Sequence, residues 1–82
     1  MAPELVIVDN ANHRNRSLVG DQIVQLELSA NIMFENTRDP MWKKVGDIAF
    51  ESCSSSTTLE LELMPMYFNM IPLPNWKTLT RY

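Results

Sequence analysis

The chain has 82 residues and a net charge of −3 at pH 7, and a single small domain spanning residues 1–82 is expected. A domain of this size buries only about 60% of its extended-chain surface, so it needs a well-filled core, a staple or a partner. The lone Cys53 excludes an internal disulfide and the lone His13 argues against a Cys/His zinc site, so neither metal nor cofactor is expected, while the acidic balance disfavours a general nucleic-acid coat.

Residues 1–8 have no basic start and too short an apolar run for a secretory signal. No apolar stretch approaches the ~20 residues that span a bilayer. An unpaired thiol suits a reducing compartment. The expectation is a soluble, intracellular, cytoplasmic protein without a membrane span.

Residues 4–8 (Glu4, Leu5, Val6, Ile7, Val8) read as a short strand, apolar on both faces and covered or at an interface. Residues 9–21 are rich in Asn, Arg and Ser and read as a loop with a turn near 17–20. Residues 22–35 are the organising element. Val24, Leu26, Leu28, Ala30, Ile32 and Phe34 alternate with mostly polar residues, which predicts a long amphipathic strand.

Two readings compete for residues 40–51. A turn over 36–40 followed by a returning strand over 44–53 is preferred, because Val45, Ile48 and Phe50 suit strands and Gly46 weakens a helix. The alternative is a helix capped by Asp39 with Pro40 at its first position, Met41, Val45, Ile48 and Ala49 inside, and Lys43, Lys44, Asp47 and Glu51 outside. Residues 52–58 read as a flexible Ser/Thr loop. Leu59, Leu61 and Leu63 then alternate with Thr58, Glu60 and Glu62, a second amphipathic strand, continuing through a bend at Pro65 to Ile71. In the tail, Trp76, Leu79 and Tyr82 are spaced by three, as in one helical turn or a docking arm.

The fold expected is all-β: a small sandwich or partly open barrel of about four or five mostly antiparallel strands. The alternative is α+β, with a helix over 40–51 packed on a sheet.

The Met-rich strand 64–71 is the most informative feature for function. Methionine is adaptable and, with aromatics, enriched at interface cores. Met64, Met66, Phe68, Met70 and Ile71, with Trp76 from the tail, are the candidate protein-interface residues. The function expected is a non-enzymatic interaction or assembly module, an accessory protein that pairs through this strand with a protein partner, first of all a second copy. The alternative is a nucleic-acid-binding module gripping phosphates through the basic loop 12–17, with His13, Arg14 and Arg16. An enzyme is not expected. Cys53 with His13 as base is the only nucleophilic pair available, and no Gly-rich phosphate cradle exists among two glycines. Trp42 is expected to pack in the core, with an anchor for a partner contact as the alternative.

Overall fold

The computed structural model describes residues 2–71 and 73. The element order is β1 (Glu4–Asp9), β2 (Asn15–Val19), α1 (Asp21–Thr37), α2 (Pro40–Ser55), β3 (Thr58–Leu63) and α3 (Pro65–Met70). β1 lies at the centre of a three-stranded sheet, antiparallel to β2 and parallel to β3. The fold is α+β, and the described residues are mostly helical, which overturns the all-β expectation. The α+β alternative is the one that matches.

β1 alternates strictly. Leu5, Ile7 and Asp9 are buried toward the helices, and Glu4, Val6 and Val8 are half-buried on the other face. β3 repeats the pattern, with Leu61 and Leu63 buried and Thr58, Glu60 and Glu62 exposed. β2 was expected to be loop. It buries only Leu18 and half-buries Arg16, so its polar sequence carries almost no apolar alternation to read.

α1 replaces the long strand expected over 22–35. Its even-numbered apolar residues are two interleaved helical ladders. Leu26, Ala30 and Phe34 recur every four residues on the inner side, the first two buried and Phe34 half-buried. Val24, Leu28 and Ile32 recur every four residues outside. Two such ladders offset by two residues produce a period of two in the sequence without any strand. Length is the better discriminator, because strands usually run about five or six residues and helices ten or more.

α2 is the helix that was ranked second for residues 40–51. Asp39 caps it, with Oδ1 accepting from the Met41 N–H at 3.0 Å, and Pro40 occupies the first turn. Trp42, Val45, Gly46, Ala49 and Ser52 form its buried stripe. The helix runs on to Ser55, taking in residues expected to be loop. The buried Ser52 hydroxyl shares its one proton between the carbonyls of Thr57 at 2.9 Å and Glu4 at 3.1 Å, which satisfies a polar group inside the core.

Gly46 faces α1 at Ala30 and Asn31. A Cβ there would meet Asn31 Oδ1 at 2.6 Å and Ala30 Cβ at 3.7 Å. Only the Asn31 side-chain end obstructs it, and Asn31 is exposed. Gly46→Ala alone is therefore expected to be close to neutral. In an Asn31→Ala background the same change gains the helix propensity, about 1 kcal/mol. Urea denaturation of the four-member cycle measures this. Loss of stability in the double variant would mean that the backbones, not Asn31, set the contact.

Candidate functional site

Residues 64–71 are the segment on which the sequence placed the interface. They are not a strand. Met64 precedes a one-and-a-half-turn helix with Pro65 in its first turn, a position where a missing N–H costs nothing. Tyr67, Phe68 and Ile71 turn inward and are buried, and Phe68 has no exposed surface. Met64, Met66 and Met70 stay about half exposed. The expected interface set therefore divides: Phe68 and Ile71 are core residues, and three methionines form a surface. Trp76 lies outside the described residues.

Two polar clamps hold α3 against the rest. In the first, Asp9 is fully buried at the end of β1. Its carboxylate accepts from the Ala11 and Asn12 N–H groups, from Asn12 Nδ2, and from Arg14 Nε and Nη2 at 2.9 and 2.5 Å. Arg14 Nη2 also donates to Asn69 Oδ1 at 2.8 Å, and its guanidinium lies 4.6 Å from the centre of the Phe68 ring. Burial opposes ionisation of Asp9, but the hydrogen bonds from Arg14, Ala11 and Asn12 outweigh it and hold the carboxyl well below the usual range.

In the second clamp, the Tyr67 hydroxyl donates to Asp39 Oδ2 at 2.6 Å, and the Tyr67 ring meets Trp42 edge-on at 5.5 Å. The Tyr67 hydrogen bond, helped by the Met41 N–H, lowers the Asp39 pKa, and the same bond raises that of Tyr67. This clamp is intact at neutral pH. It weakens as acid protonates Asp39, and again in strong alkali as Tyr67 ionises.

The basic loop is divided by these contacts. Arg14 is committed to Asp9 and Asn69, Arg16 is half-buried on β2 opposite Ile7, and His13 is exposed in the turn with a left-handed φ of 57°. The loop thus presents one exposed side chain of the three to a phosphate, rather than a convergent trio. Cys53 and His13 lie toward opposite ends of the sheet. The neighbouring Ser52 binds Glu4 at the start of β1, whereas His13 follows Asp9 at its end, about five residues or ~16 Å away along the strand.

Two surfaces remain that the sequence did not single out. One is the outer ladder of α1, where Val24, Leu28 and Ile32 are 43%, 58% and 60% exposed. These three lie opposite the buried Ile23, Leu26 and Ala30 and extend over about 12 Å of helix. Their signal in the sequence was the second i, i+4, i+8 set, which a strand reading had absorbed. The other is a groove of about 600 Å³ at the α1–α2 corner, lined by Phe34, Arg38, Pro40, Lys43, Lys44, Asp47 and Ile48. In the sequence Lys43 and Lys44 stand out only as the outward side of a helix over 40–51.

The fold and these surfaces define a two-layer α+β domain with an apolar helix face turned outward. Compared with protein families, curated proteins and solved structures, the chain matches none. Among the described residues, no helix is long and apolar enough to cross a membrane.

Proposed function

We propose that this protein is a non-enzymatic protein-interaction module whose first partner is a second copy of itself. The observation that carries this reading is the outward ladder of Val24, Leu28 and Ile32 on a helix that already buries its opposite face. A helix apolar on both sides has one side for its own core and another to shelter elsewhere. The exposed Met64, Met66 and Met70 on and beside α3 supply a second adaptable apolar surface. The contact expected on a strand over 64–71 falls in this reading on helix surfaces.

An antiparallel pairing of two α1 helices about a twofold axis brings Leu28 against its own copy and Val24 against the other copy's Ile32. This geometry is tested by cross-linking. Leu28→Cys in a Cys53→Ser background is expected to form an intermolecular disulfide readily under mild oxidation. Glu60→Cys, on the open face of the sheet, is expected not to. Equal cross-linking at both positions, or at neither, would remove the α1 contact.

A further inference from the structure

The chain is acidic, yet three of the five Lys and Arg residues within the described region line one groove: Arg38, Lys43 and Lys44. Its apolar lining comes from Phe34, Pro40 and Ile48, with Phe34 and Ile48 half-buried against the core. The Arg38 guanidinium lies 5.8 Å from the centre of the Phe34 ring, which sets a cation beside the apolar wall. One acid, Asp47, faces the three cations, and it forms an exposed ion pair with Lys43 at 3.5 Å. Exposed pairs of this kind contribute little and are readily exchanged for another anion. A volume of about 600 Å³ lies within the usual range of small-molecule sites, which combine apolar walls with a few orienting polar groups.

We propose that the α1–α2 corner groove binds a small amphipathic carboxylate, with its apolar body against Phe34, Pro40 and Ile48 and its anionic head among Arg38, Lys43 and Lys44. The inference stands apart from the self-association proposal, because Val24, Leu28 and Ile32 take no part in the groove. An apolar wall alone would accept any greasy chain. The positive rim is what selects the acid over the alcohol or the amine of equal length.

The test uses the full-length protein and three twelve-carbon probes, dodecanoate and dodecylammonium below their micelle concentrations and dodecanol below its solubility limit. Binding is followed by amide chemical shifts. Dodecanoate is expected to give saturable shifts concentrated at residues 34–48, with dodecanol at least about tenfold weaker and dodecylammonium weaker still. The exposed-charge variant Lys43→Gln with Lys44→Gln is expected to keep the wild-type thermal midpoint and to bind dodecanoate about tenfold less well. Equal affinity for the acid and the alcohol, shifts centred elsewhere, or an unchanged affinity in the variant would each overturn the assignment. A capped acidic, leucine-containing peptide that binds the groove while dodecanoate does not would overturn it in favour of a protein partner. The Leu28→Lys, Ile32→Lys variant separates the two proposals, since it is expected to bind dodecanoate normally.

Discussion

Replacing Phe68 by alanine is expected to abolish cooperative folding, or nearly so. The side chain is fully buried, between the Arg14 guanidinium and the core formed with Ile71 and the sheet. Truncating a buried phenylalanine typically costs about 3–5 kcal/mol, through lost apolar transfer and the cavity left behind. An 82-residue domain has a total stability of roughly 4–12 kcal/mol, so one such cavity removes a large part of it. Phe68→Glu is expected to be worse, because it removes the ring from the core and buries a second carboxylate that must compete with Asp9 for Arg14. Thermal melts by circular dichroism, with a one-dimensional proton spectrum, report the outcome. A Phe68→Ala variant that melts within a few degrees of wild type would show that α3 is not part of the core.

The second large effect is expected at Arg14. Arg14→Met keeps much of the aliphatic bulk over Phe68 but removes the cation from buried Asp9. A buried carboxylate that loses its partner is strongly destabilising, more so than loss of a surface pair. The consequence depends on pH, and its sign is fixed. In the wild type the Asp9 pKa is lowered by folding, so its contribution is complete above the ordinary carboxylate pKa of about 4 and declines as pH falls below it. In Arg14→Met, burial is no longer outweighed to the same extent, so the carboxyl is easier to protonate and acid relieves the variant. The gap in urea midpoint between the two proteins is therefore expected to be wide at pH 7 and to narrow at pH 3. Asp39 keeps its Tyr67 and Met41 partners in both proteins, so its titration cancels in the difference. A gap independent of pH would mean that Arg14 acts through packing on Phe68 alone.

The sequence disclosed some elements and concealed others for definite reasons. β3 was legible from its strict period of two, with leucines alternating against Thr58, Glu60 and Glu62, and β1 from its short β-branched run, in which Val6 and Val8 hid which face turns inward. The α2 start was legible too, since Asp39 followed by Pro40 is a capping signal with a mechanism. It was outweighed by Gly46, whose absent side chain serves the close approach to α1 rather than marking a broken helix. The α1 error has the most instructive cause. A helix that is apolar toward the core at Leu26, Ala30 and Phe34, and apolar toward solvent at Val24, Leu28 and Ile32, reproduces strand alternation. Pro65 reads as a bend in the strand because the apolar run continues past it, though proline also suits a helix start.

Of the site, the exposure of Met64, Met66 and Met70 follows the Met-rich composition of that segment, while the burial of Phe68 and Ile71 depended on a helical period hidden in six residues. The groove joins Phe34 and Arg38 on one side of the helix turn to Lys43, Lys44 and Ile48 on the other, and only the α1–α2 hairpin places them together. Arg14 was read as a phosphate ligand because its partners, Asp9 and Asn69, stand five and fifty-five residues away along the chain.

The most direct test of the outward α1 face is light scattering on the size-fractionated protein across a hundredfold range of concentration, with the Leu28→Lys, Ile32→Lys variant beside it. Wild type is expected to rise from the monomer mass toward twice that value, while the variant keeps its helical spectrum and stays at the monomer mass throughout. A wild-type mass that never leaves the monomer value, or a variant that associates as the wild type does, would contradict the account.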